Sequence, residues 1–249
     1  MLDTKDDMMT PRERVFQAIA NRPTDRAPAN YSAHQPVTDG LIRKTGVADI
    51  EELFVALGVD MRRISFNYGQ PATGPDADGY MRTMWGAKQR EKDPGDGQPN
   101  QILPFTEDST VEDVHQHVWP DPDALDFSNV REQCRKYHGE YATFGAPWSP
   151  FFHEVGWLIG QEDFLMWMHT KPEVVHAIIQ HVVDYEVEAT RRFLKAADGM
   201  IDITYFGNDF GTQRGLFVSP RMWSEFFRKP LKRYFDVSHD YGCKVMKHS

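Results

Sequence analysis

The chain has 249 residues, 40% hydrophobic and 26% charged, with a formal net charge of −9. That charge argues against duplex nucleic-acid binding, which is driven by phosphate neutralisation, and the two cysteines, Cys134 and Cys243, do not indicate a disulfide framework. No apolar run reaches membrane-span length and the acidic start Met1-Leu-Asp-Thr-Lys-Asp-Asp7 is no signal peptide, so a cytoplasmic globular protein is expected.

Thr10-Pro-Arg-Glu13 is a capping box with proline at the first helical position. Arg26 to Tyr31 reads as a short first strand, followed by Tyr31 and His34 in a loop that can line a pocket. Helices follow over Pro36–Thr45 and Asp49–Leu57, and a second strand over Asp60–Phe66 with Asn67 at its end. Residues 68–109 break this rhythm with Gly and Pro and read as an antiparallel hairpin insertion turning at Pro94-Gly-Asp-Gly97. Helices over Thr110–His117 and Phe127–His138 lead to a third strand, Tyr141–Pro147, and the turn Gly145-Ala-Pro-Trp148-Ser.

Two short helices, Phe151–Ile159 and Glu162–His169, precede a long one opened by Pro172 and ending near Ala197. Met200–Phe206 is the fourth strand, and its end delivers the Gly-rich loop Gly207-Asn-Asp-Phe-Gly-Thr-Gln-Arg-Gly215. Ser219-Pro220 caps a helix to about Tyr241 that Pro230 should kink, and Cys243–His248 is the fifth strand. Strands separated by helices predict a parallel α/β sheet. The chain reads as one domain, 1–249, ending on an apolar strand that should not be an open edge, so an incomplete fold of about five βα units is expected.

In such folds chemistry sits at the C-terminal ends of strands. That places Asn208, Asp209 and His248 at one mouth, with Arg214 available to pair with a carboxylate. Asp209 can also simply hold a turn, and His248 can serve as metal ligand, acid–base group or satisfied pocket residue. Spacing alone completes no zinc site, and phosphate-binding glycine motifs are absent.

The order of Thr10-Pro-Arg-Glu-Arg-Val, Asp25-Arg-Ala-Pro, Gly145-Ala-Pro-Trp-Ser, Asn208–Gly215, Ser219-Pro-Arg-Met-Trp-Ser-Glu-Phe-Phe and Lys244-Val-Met-Lys-His-Ser resembles the uroporphyrinogen decarboxylase superfamily. The resemblance implies a TIM (β/α)8 barrel, here truncated. It implies either decarboxylation of a polycarboxylate tetrapyrrole or zinc-dependent methyl transfer between a corrinoid protein and a thiol, methyl ether or amine.

Decarboxylases carry an arginine-rich segment after strand one, whereas the stretch here, Ala29–Pro36, has no arginine. Where they place a tyrosine after Gly-Ala-Pro-Trp, this chain has His153. The methyltransferase branch uses His-x-Cys after strand five, and His248-Ser249 matches its first two positions. The resemblance thus gives Asp209 and His153 catalytic roles and His248 a zinc-ligand role. It makes Tyr31, His34, Asn67, Trp148, Asn208 and Arg214 substrate-binding, with a corrinoid held by a partner protein and a homodimer allowed. A metal-free lyase using Arg214 and a non-catalytic binding barrel stay open.

Overall fold

Thr10 starts the described fold as the N-cap of α1 (Pro11–Ile19), accepting from the Glu13 N–H while the Glu13 carboxylate accepts from its own at 2.9 Å. The computed structural model describes residues 9–68, 74–90, 100–148 and 151–248. Helices α2 (Gln35–Thr45) and α3 (Ile50–Ala56) lead to strand β1 (Met61–Arg63). No strand forms at Arg26–Tyr31, which corrects the expectation of a first strand there. Pro28 has no N–H to give, and the Ala29 N–H goes to the Asp60 carboxylate at 2.7 Å instead of to a ladder. Arg26 donates to both Asp60 oxygens, at 2.7 and 2.8 Å, and buried Arg14 pairs with Asp60 and Asp25. Charge and one described backbone bond, from the Asp60 N–H to Ala29 O at 2.9 Å, anchor this segment without making it a strand.

Strands β2 (Met81–Arg82), β3 (Lys88–Gln89) and β4 (Gln101–Ile102) form a small antiparallel sheet. The β2–β3 turn closes on Gly86, whose N–H donates to Thr83 O at 3.0 Å; the turn expected at 94–97 lies outside the described residues. Then come α4 (Val111–Gln116), α5 (Val130–Tyr137) and β5 (Ala142–Gly145). Gly145 must be glycine, because a Cβ there would meet Ile64 O at 2.5 Å.

Helices α6 (Phe151–Ile159), α7 (Gln161–Thr170) and the 26-residue α8 (Pro172–Ala197) are next. Strand β6 (Ile203–Gly207) follows, then the tight hairpin β7 (Gly211–Thr212) and β8 (Gly215–Leu216). The single kinked helix expected after Ser219 is two helices, α9 (Pro220–Phe226) and α10 (Arg228–Asp240), separated at Phe227. The break falls where the Pro230 ring would otherwise meet the carbonyl four residues earlier, and it leaves Pro230 in a first turn, where its missing donor costs little. Strand β9 (Lys244–His248) completes the described chain.

The main sheet is wholly parallel, in the order β1-β5-β6-β9; four strands rather than five βα units are described. Along β6 the residues alternate as a strand must. Ile203 and Tyr205 pack with Val15, Met61, Phe144 and Met246, while Phe206 enters the large cluster of α6, α7, α8 and α10. Thr204 hydrogen-bonds Ser238 of α10 at 2.7 Å, tying helix to strand. Asp202 is held at the other end by Arg12 at 2.7 Å and by the Thr143 N–H at 3.0 Å. The rigid ladder therefore ends at Gly207 paired with His248.

Candidate active site

The β6–β9 ladder places two polar ends side by side. The Asn208 N–H donates to His248 O at 3.1 Å, extending the ladder by one step. The Asn208 side chain is buried, and its Oδ1 accepts from the Phe152 N–H at 3.0 Å. That bond fixes the first turn of α6 and with it His153, whose Nε2 accepts from the Asp209 N–H at 3.3 Å. The contact assigns the His153 proton to Nδ1.

Asp209 lies between two imidazoles. Its Oδ2 is 4.0 Å from His153 Nε2 and its Oδ1 is 3.4 Å from His248 Nε2. Oδ1 is buried and makes no hydrogen bond among the described residues. Lys247 donates to Asn208 O at 3.1 Å; burial lowers the pKa of its ammonium, partly offset by Asp209. Trp148 roofs this end, with its carbonyl accepting from the Gly207 N–H at 2.9 Å and its indole 5.9 Å from the His248 ring.

Behind Trp148 lies a cavity of about 500 Å³. Tyr68, Trp85, Trp148 and Trp157 supply its aromatic walls, and Glu154 and Glu186 its charge. It adjoins the histidine–aspartate cluster, since the His153 ring lies 6.4 Å from Trp157 in a stacked arrangement. Glu154 is wholly buried; desolvation first, and the Glu186 carboxylate second, push its pKa well above the carboxylate range. The Trp85 side chain hydrogen-bonds the Glu154 carboxylate, yet Glu154 Oε2 meets no donor. Burial, then Glu186, push the Tyr68 phenol up to about 12.

The family described as Uroporphyrinogen decarboxylase (URO-D) matches residues 98–249, well over half of the chain. The chain belongs to the URO-D family. A solved methyltransferase from Methanosarcina mazei resembles it with a TM-score of 0.55 at 15% identity, over 96% of this chain and 69% of that one. At that identity the likeness is one of fold. No curated protein matches the chain.

In this URO-D family member, the candidate residues read from sequence divide into two groups. Asn208, Asp209, His153, Trp148 and His248 come together as described. Arg214 does not: it sits exposed at the tip of the β7–β8 hairpin, with no ion-pair partner among the described residues, because the hairpin turns its tip outward. Tyr31 packs on Phe54 of α3, with its hydroxyl 2.9 Å from Thr38, and His34 is the exposed residue before α2. Asn67 bridges to Asp126 and is exposed. Tyr31 and His34 have no described contact with the Asp209 cluster.

Glu154, Glu186, Tyr68, Trp85 and Trp157 are new from the structure. A signal for two of them was present. Glu154 interrupts the apolar run Phe151–Ile159, and Glu186 falls four residues after Val182 on the apolar stripe of α8. A carboxylate on a buried stripe calls for a partner or a task.

A catalytic zinc needs three protein ligands. Among the described residues no group of three His, Cys, Asp or Glu side chains could hold a metal. His248 and Asp209 offer two donors, but His153 Nε2 already accepts a backbone hydrogen bond. Both cysteines are buried elsewhere, their thiols pushed up to about 11 by desolvation, against the thiolate that zinc takes. The described residues do not fit a complete zinc site.

Proposed function

We propose that this URO-D family member is a methyltransferase, its four parallel strands an arc of a (β/α)8 barrel. It would move a methyl group between a corrinoid carried by a partner protein and a small substrate held at the strand ends. The charge of the cavity carries the choice. Glu154 and Glu186 line it, and no lysine or arginine does among the described residues. A tetrapyrrole with many carboxylates needs paired cations, and two buried carboxylates would repel it.

The corrinoid would supply the methyl carrier; the chain's own residues would bind and orient the other substrate. Asp209 and His248 form a pair able to hold or release one proton at the substrate heteroatom as that atom gains or loses its methyl group. His153, fixed by the Asp209 N–H, orients the carboxylate between the two rings. Trp148 and Trp157 stand between this cluster and the cavity.

The test pairs two assays on the same protein. Incubation with methylcob(III)alamin and a panel of thiol, phenol and amine acceptors should change the visible cobalamin spectrum, and Asp209→Asn should abolish the change. Carbon dioxide release from uroporphyrinogen without methyl transfer would establish the carboxy-lyase reading instead. Inactivity in both assays, with native circular dichroism, would favour a binding module.

A further inference from the structure

We propose that the cavity between Trp148 and α8 is a recognition site for the methylated ammonium group of an amine substrate. The inference takes the methyl-transfer reading for the reaction, but the binding stands on its own observations.

Four aromatic side chains, Tyr68, Trp85, Trp148 and Trp157, border one cavity of about 500 Å³ together with two carboxylates. Aromatic faces attract an organic cation through the negative potential over the ring, most strongly where water is excluded. They do nothing comparable for an anion. Glu154 supplies the opposite charge. It is a wholly buried carboxyl whose Oε2 has no hydrogen-bond donor among the described residues, next to a second carboxylate. Two adjacent buried carboxylates cannot both stay ionised without a counter-charge.

The hydrogen bond between the Glu154 and Glu186 side chains lets one proton meet that need. An ammonium group would replace the proton, contacting the carboxylates through any remaining N–H and the rings through its methyl groups. The titratable groups facing Glu154 are Glu186 and, at longer range, Tyr68 and Tyr185, none of them a cation at neutral pH; Arg63 acts on Tyr68 at the cavity's edge without lining it. The volume exceeds that of a methylated ammonium head alone, so a substituent fits beside it. Trp148 also touches His248, which puts a methyl group in the cavity next to the proposed proton-handling pair.

Tryptophan fluorescence titration of the whole chain with choline, trimethylammonium and dimethylammonium tests the proposal, because three of the bordering residues are tryptophans. The control is 3,3-dimethylbutan-1-ol, the neutral isostere of choline. Saturable quenching by at least one cation is expected, with the neutral alcohol weaker by about tenfold or more, as a desolvated cation–π site requires. Glu154→Gln should weaken cation binding by about tenfold while leaving the alcohol unchanged. Trp157→Phe should retain binding and Trp157→Leu should lose it.

Equal binding of choline and its isostere, or no saturation with any of the three cations, overturns the proposal. The wild-type comparison decides even if Glu154→Gln misfolds. Methyl transfer to thiols or phenols without ammonium binding would sink this inference and leave the proposed function standing. Cation binding without transfer from any methylated amine or to any acceptor would do the reverse.

Discussion

The α-carbon of Gly207 lies against the indole of Trp148, so that a Cβ built on residue 207 would stand 1.9 Å from Trp148 Cζ2. No side chain can be added there without moving the tryptophan, which is pinned by the Gly207 N–H and packed on Tyr205 at 4.9 Å. Gly207→Ala should therefore cost about 1–3 kcal/mol of stability, the usual range for overpacking. It should also change the tryptophan near-ultraviolet circular dichroism. An unchanged spectrum and urea midpoint would show that Trp148 is free to leave.

Asp60 is a buried carboxylate serving Arg14, Arg26 and the Ala29 N–H at once. Asp60→Ala takes one of two carboxylates from the buried Arg14 guanidinium, which keeps Asp25, and should cost about 1–3 kcal/mol in urea unfolding. Arg26→Ala should cost about 1 kcal/mol or less, because that side chain is 41% exposed and its pairing is screened.

Stability should fall with rising pH through the titration of Glu154. Its folded pKa is raised above the ordinary value of 4.5, so the folded chain binds more protons in between. The contribution is complete below the unfolded value and disappears as pH climbs through the folded one. Because Glu154 and Glu186 titrate as a pair, the loss belongs to both. Urea midpoints measured from pH 4.5 to 8 should decline for the native chain. The decline should be shallower for Glu154→Gln, which carries no proton to lose.

Asp209 and Arg214 belong to one loop but occupy different environments. On the proposed methyl transfer, Asp209→Asn should lower kcat/KM by about 10²–10⁴, the scale of a general acid–base group. Arg214→Ala, altering an exposed hairpin tip, should stay within about twofold of the native rate. Equal losses from the two variants would mean that the hairpin folds over the substrate.

Cys134 and Cys243 should resist an aromatic disulfide reagent in the native state and react fully in denaturant. Both are buried, with thiols pushed up to about 11, so little thiolate forms near neutral pH. Rapid native labelling would place one of them nearer the surface.

Much of the framework could be read from local chemistry. The caps at Thr10, Thr110 and Ser219 and the long helix after Pro172 are written in short-range signals, and the helices start where those signals stand. Arg26–Tyr31 misled because its alternating apolar character suits a strand, while the carboxylate that claims its backbone lies about thirty residues later at Asp60. The juxtaposition of Asn208, Asp209 and His248 was legible because strand ends in parallel sheets share a rim. Arg214 was placed by composition alone, and a tight hairpin then pointed it outward. The aromatic cavity was not legible as a unit. Its walls come from segments around residues 68, 85, 148, 157 and 186, and only tertiary packing brings those together.

Those walls have separate origins. Trp148 is carried by the loop after β5, whereas Thr83, Met84 and Trp85 sit in the turn of the β2–β3 hairpin and Gln89 on β3, strands only two residues long. Substitutions in that sheet can reshape one side of the chamber without shifting the register of any parallel strand. A lineage could thus drift from one substrate to another by exchanging a few roof residues, while the Asp209–His248 rim is inherited intact.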